Sequence, residues 1–230
     1  LVNNAGIVAK GDILDLSEAD FDKVIGVNLR GSFLVAREAA RQMVEQIEEA
    51  GERMEDVRRR YAIINMSSVN GVVAIPDQLA YCVSKGAINQ MTKSMSLALA
   101  KYGIRVNAIG PGSINTDVLK SVNDNPEAMA KIMSRTPLQR IGDPDEVASV
   151  ASFLASRDAS YITGTTIYAD GGRLAMNYTV SVFSEGDADI DLYFEPFALR
   201  SKIETVISDR HIITIHRKIK CLCDRRRKIH

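Results

Sequence analysis

Short apolar runs alternate with long helical patterns along this chain, and that alternation limits the folds open to it. Tyr61-Ala62-Ile63-Ile64-Asn65-Met66 reads as a strand, as does Ile104-Arg105-Val106-Asn107-Ala108-Ile109, with Thr165-Thr166-Ile167-Tyr168 a shorter one. Asp15-Leu16-Ser17-Glu18 leads into a helical pattern that Ser17 is placed to cap, with Asp20 at the third helical position. Phe21, Val24, Ile25, Leu29, Phe33 and Ala36 follow at three- and four-residue spacing and predict one buried stripe, the pattern running on to about Gln46. Residues 47–60 are dense in charge and read as a solvated helix extension or loop. A second helix is predicted from about Leu79 to Lys101, where Ser84, Gly86 and Ala87 permit close packing. A third opens at Asp143-Pro144-Asp145-Glu146, with Asp143 as cap and Pro144 at the first position. There are no internal repeats and no low-complexity linkers.

Composition narrows the function classes. The 230 residues suffice for one sizeable core, and 46% hydrophobic with 25% charged residues is a soluble globular profile. The formal net charge is zero, so nothing calls for nucleic acid or an anionic membrane. No apolar run approaches the length that spans a bilayer. Cys82, Cys221 and Cys223 do not make a disulfide framework, and a reducing, cytoplasmic setting is the default expectation.

Chemistry concentrates at Tyr81 and Lys85. Four residues apart in a predicted helix, they share one face, a turn apart. A free phenol has a pKa of about 10, too high for ready proton exchange at neutral pH. A lysine held close favours the phenolate, which makes the pair a candidate general acid/base at an alcohol oxygen. Ser68 follows the strand ending at Met66. A hydroxyl at the carboxyl end of a buried strand can point into the crevice where open α/β sheets bind ligands. Ser67 competes for that role.

Further motifs are Asn3-Asn4-Ala5-Gly6, Val27-Asn28-Leu29, Pro111-Gly112-Ser113-Ile114-Asn115-Thr116 and Tyr168-Ala169-Asp170-Gly171-Gly172. In this order and at these separations the set resembles the short-chain dehydrogenase/reductase family, over roughly residues 1–178. The branch it is most similar to is that of 3-oxoacyl carrier-protein reductases and glucose dehydrogenases. The resemblance implies an α/β, Rossmann-like doubly wound parallel sheet and hydride transfer between NAD or NADP and a carbonyl or secondary alcohol. It implies Tyr81 as general acid/base and Lys85 as the group that lowers its pKa and meets the nicotinamide ribose. Ser68 would bond the substrate oxygen, and Asn28 would hold a water that links Lys85 to solvent. Asn4, Ala5 and Gly6 would approach the adenosine ribose. Pro111 and Gly112 would shape the loop below the nicotinamide, with Ile114 at its carboxamide and Thr116 at the pyrophosphate. No metal is implied. A homo-oligomer, dimer or tetramer, is implied through the helix at 79–101 and the long one before it.

Two stretches depart from the family pattern. No Gly-rich turn precedes Asn3, so the resemblance predicts that the first three strands and their helices, roughly 80 residues, are missing from the front. The strand ending at Val2 is then an apolar edge, and such edges template aggregation. After the patterned region, residues 179–230 form an atypical tail that reads as irregular or as a misread extension. Its segment 211–223 alternates like a strand, its His211, His216, Cys221 and Cys223 match no strong zinc spacing, and its end is basic.

Substrate class stays open on these residues. Residues 117–135 fall where the family places a mobile lid, with Met129, Ile132 and Met133 as candidate pocket residues. Lys120, Lys131 and Arg135 are candidate contacts for an acidic carrier protein bearing an acyl thioester. A small-molecule carbonyl or alcohol fits equally. A non-catalytic binding or scaffold protein of the same descent is the alternative, and an epimerase or dehydratase on a related fold is a third.

Overall fold

The computed structural model describes residues 1–51, 53–116, 119 and 125–180, with no side-chain account for 55, 58 and 59. Among them four parallel strands form one sheet in the order β1 (Val2–Asn3), β2 (Ala62–Met66), β3 (Arg105–Pro111), β4 (Thr166–Ala169). Val2 pairs with Ile64, Ile63 with Val106, and Ile109 with Ile167. The three runs read as strands are strands, and the sheet with its helices is the expected α/β architecture. Residues 181–230 lie outside the described residues, and with them the alternating segment, the histidines, Cys221, Cys223 and the basic end. Lys120 and most of the loop at 117–124 lie outside them too.

Successive strand residues face opposite sides, and each side has its own helices. Ile63 and Val106 pack with Ala40 of α2 (Ser32–Ala50) and with Met95 and Leu99 of α4 (Leu79–Leu99). Ile64 and Ile109 pack on the other face with Val147 and Leu154, which belong to α6 (Pro144–Ala155). The strands step across the sheet in one direction while the helix after β3 lies on the opposite face from α2 and α4. The β3–α6–β4 crossover is therefore opposite in hand to the two before it, against the strong preference for one hand.

Local sequence accounts for most boundaries. Ser17 Oγ accepts from the Asp20 N–H at 3.1 Å and starts α1 (Glu18–Ile25). Asp143 and Glu146 form a capping box at the start of α6, the Asp143 N–H donating to Glu146 Oε2 at 2.8 Å. Pro126 occupies the first turn of α5 (Pro126–Met133), capped by Asn125.

Two expectations need correction. The predicted stripe through Phe33 does not hold: Phe33 is 46% exposed, while Asn28, Ser32, Ala36 and Ala40 are buried. Gly26–Gly31 is a π-helical turn, whose extra residue rotates the buried face of α2 relative to that of α1. The charged stretch is also not wholly solvated. It contains α3 (Met54–Arg60), whose Val57 is fully buried. Gly103, at φ 75°, lets it in, since a Cβ there would stand 3.0 Å from Val57 Cγ1.

Candidate active site

The amino-terminal half of α4 is fastened to the loop that leaves β2. Ser67 Oγ donates to the Lys85 carbonyl at 3.1 Å. A Cβ on Gly71 would come within 2.8 Å of that same carbonyl, so only glycine admits this approach. Ser67 is thus a buried strut. Ser68, also buried, is the serine whose side chain stands beside the Tyr81 phenol and acts on its pKa. Its Oγ accepts from the Asn70 N–H at 3.1 Å, which fixes its rotamer.

Lys85 Nζ donates to the Met66 carbonyl at 2.7 Å and stands 5.5 Å from the centre of the Tyr81 ring. Lys85 is buried, and burial lowers its pKa to about 8. Burial raises the Tyr81 phenol, against a smaller pull downward from neighbouring Ser68. The lowering of Tyr81 expected from Lys85 is not what this arrangement gives. The ammonium faces the ring and is spent on a carbonyl, so desolvation governs the phenol.

Asn28 sits in the π-helical turn with its amide committed to protein groups. Oδ1 accepts from the Ile7 N–H at 2.7 Å, and Nδ2 donates to the Ile7 carbonyl at 2.9 Å and to Ser84 Oγ at 3.0 Å. The side chain therefore clamps the loop after β1 against α4. A Cβ on Gly6 would meet Asn28 Oδ1 at 3.4 Å and Lys85 Nζ at 3.5 Å. Ser68, Tyr81, Lys85, Asn28 and Gly6 are accordingly one cluster. Asn4 and Ala5 lie exposed beside it on the same loop.

The third motif sits at the carboxyl end of β3. Pro111 closes that strand, and the Gly112 N–H donates to the Ala169 carbonyl at 2.9 Å. Ile114 bridges to Gly142, and Thr116 is exposed, its hydroxyl 3.4 Å from the Ile114 carbonyl. These residues share the sheet end with Ser68, but no hydrogen bond among the described residues joins them to Tyr81 or Lys85. A cavity of about 430 Å³ lies between Ile114, Leu138, Glu146 and Tyr168. It contains none of Ser68, Tyr81 and Lys85, and so is distinct from the cluster.

Sequence reasoning missed Asn70, Asn89 and Arg173. Asn89 Nδ2 reaches the Gly71 carbonyl at 3.4 Å and the Tyr168 hydroxyl at 3.5 Å, and Thr166 Oγ1 donates to Asn89 Oδ1 at 3.1 Å. Its position one turn beyond Lys85 was the available signal. Arg173 Nη2 donates to Asn70 Oδ1 at 3.5 Å, a contact across the fold that no local spacing reveals. Among the described residues, no cluster of His, Cys, Asp or Glu could hold a metal, and no helix is long and apolar enough to cross a membrane.

A family model described as enoyl-(acyl carrier protein) reductase matches residues 1–173. The chain belongs to the short-chain dehydrogenase/reductase family. A 3-oxoacyl-[acyl-carrier-protein] reductase of Rickettsia prowazekii is 40% identical over 175 residues, covering 76% of this chain. The chain spans 66% of that relative's length. A gluconate 5-dehydrogenase from Burkholderia cenocepacia, solved with NADP and tartrate, is 33% identical with a TM-score of 0.69, over 76% of this chain and 64% of that one. A 4-hydroxyisoleucine dehydrogenase complexed with NADH is 36% identical with a TM-score of 0.70, over 76% and 68%. Within the short-chain dehydrogenase/reductase frame, the clustered Ser68, Tyr81 and Lys85 stand where α4 meets the end of β2.

Proposed function

We propose that this chain carries the catalytic face of an NAD(P)-dependent oxidoreductase acting on a carbonyl or secondary alcohol. The observation that supports it is the gathering of Ser68, Tyr81 and Lys85 at the carboxyl end of the sheet, in a chain of this family. The exposed Asn4, Ala5 and Gly6 and the Pro111–Thr116 loop offer a backbone ridge on which a nicotinamide nucleotide fits. Gly6 lies directly over both catalytic-cluster side chains, since a Cβ there would touch Asn28 and Lys85 at ordinary contact distance. A nucleotide bound there supplies the hydride or accepts it.

The chain's own residues manage the proton. Tyr81, protonated at neutral pH, gives its phenolic proton to the substrate oxygen in reduction and takes one in oxidation. Ser68, beside that phenol, donates to the same oxygen as charge builds there. Lys85 holds a positive charge beside the forming phenolate, which desolvation alone would disfavour. Asn28 keeps the loop after β1 pressed on α4, and so keeps Gly6 against Lys85.

Substrates in this reading are small carbonyl compounds or alcohols, or an acyl carrier-protein thioester as for the Rickettsia relative. A cytoplasmic setting belongs to it, as does self-association through the exposed Phe33, Leu34, Val83 and Leu97 of α2 and α4. Titration with NADH and NADPH, with hydride transfer followed by loss of nicotinamide absorbance, tests the reading. Tyr81→Phe is expected to lower turnover by about a hundredfold or more while leaving nucleotide binding in place. Unchanged turnover would remove Tyr81 as the acid/base, and binding of neither nucleotide would leave a non-catalytic binding or scaffold protein of the same descent.

A further inference from the structure

The Asp170-Gly171-Gly172 turn stands out in the sequence and has no task in the proton chemistry of Tyr81. Both glycines have positive φ, 63° and 90°. A Cβ on Gly171 would lie 2.7 Å from Thr136 Cγ2, and one on Gly172 would lie 3.1 Å from Pro137 Cγ, so the turn is wedged in place. The Asp170 carboxylate is spent inside it. Oδ1 accepts from the Gly172 N–H at 2.9 Å, and Oδ2 accepts from the Leu174 N–H at 2.8 Å. What this rigid turn presents is Arg173.

The Arg173 guanidinium is half-buried and reaches Asn70 Oδ1. The Asn70 N–H in turn holds Ser68 Oγ, and Ser68 stands beside the Tyr81 phenol. A guanidinium thus stands one residue's reach from the serine that faces the reacting oxygen. No carboxylate among the described residues makes an ion pair with it. Burial lowers its pKa and neighbouring Arg135 adds to that, against a smaller opposite effect of Asp170 and Cys82. Arg135 itself donates through Nε to the Lys131 carbonyl at 2.9 Å. A partly desolvated guanidinium whose only side-chain hydrogen-bond acceptor among the described residues is an amide oxygen is unbalanced, and a planar carboxylate matches its fork.

We propose that Arg173 binds the carboxylate of a small hydroxy acid or oxo acid and so sets the alcohol or carbonyl carbon beside Ser68 and Tyr81. The inference rests on the oxidoreductase reading and selects small acids within it.

The test is calorimetric titration of the full chain with succinate, an acid that cannot be oxidised at an alcohol carbon, with and without NADH. Wild type, Arg173→Met and Arg173→Lys are compared, with inorganic phosphate as a second titrant. Succinate binding is expected in the wild type, weakened about tenfold or more in Arg173→Met, and less in Arg173→Lys, which keeps the charge without the fork. Should Arg173→Met fail to fold, the Arg173→Lys comparison decides. Equal succinate affinity in the folded variants, no binding by the wild type with or without NADH, or phosphate binding as strongly through Arg173 would each overturn the proposal. Arg173-dependent succinate binding by a chain that binds neither NADH nor NADPH would keep the acid site and remove the oxidoreductase reading instead.

Discussion

Lys85 carries the sharpest conflict between folding and function at the residue scale. Burial holds its pKa near 8, below the 10.5 of a free lysine. Between those values the unfolded chain binds a proton that the folded chain releases, so stability rises with pH through this window. Below about pH 8 the folded protein carries the buried ammonium at a cost of about 3 kcal/mol. Denaturant titrations at about pH 8 and about pH 10, either side of the window's centre, should show this rise in the wild type and lack it in Lys85→Met. Reduction should also slow above about pH 8 as Lys85 loses its charge, whereas oxidation, which needs a deprotonated Tyr81, should quicken with pH. The four-residue spacing made the Tyr81–Lys85 pair legible. The direction of the Tyr81 shift was not, because it depends on burial and on Met66 accepting the ammonium, both products of packing.

Helix ends were readable because caps are local chemistry. Asp143, Pro144 and Glu146 sit in one turn, and Ser17 with Asp20 in another, so their roles follow from order alone. Asp143→Ala should cost about 1 kcal/mol, seen as a lower denaturation midpoint with an unchanged slope. The π-helical turn at Gly26–Gly31 was hidden from a period of 3.6, and Phe33 was misplaced as a result. Gly71 was hidden for another reason: its neighbour, the Lys85 carbonyl, is brought in by a different element. Gly71→Ala forces α4 off the loop after β2. It should destabilise by roughly 1–3 kcal/mol and depress turnover further than that loss of folded protein explains. Comparing activity per folded molecule with Tyr81→Phe would show whether the loop acts by placing Ser68.

Across the whole molecule, strand and helix types were legible from apolar runs and periodicity, but the side on which each helix lands was not. Arg105 shows how that side is secured. From β3 its guanidinium donates to the Leu154 carbonyl at 2.7 Å, to that of Ala155 at 3.4 Å and to that of Ser156 at 3.1 Å. A buried cation there meets the negative end of α6. Arg105→Met should cost on the order of 2 kcal/mol, measured by denaturant unfolding, with hydrogen exchange rising first in α6. Had the last crossover kept the hand of the others, α6 would lie beside α4, and Ile64, Ile109 and Ile167 would face water. The reversal makes a slab closed on two sides from strands laid down in one direction. It also leaves the second seal to a segment made after most of the sheet, so a growing chain must carry that bare face until α6 arrives.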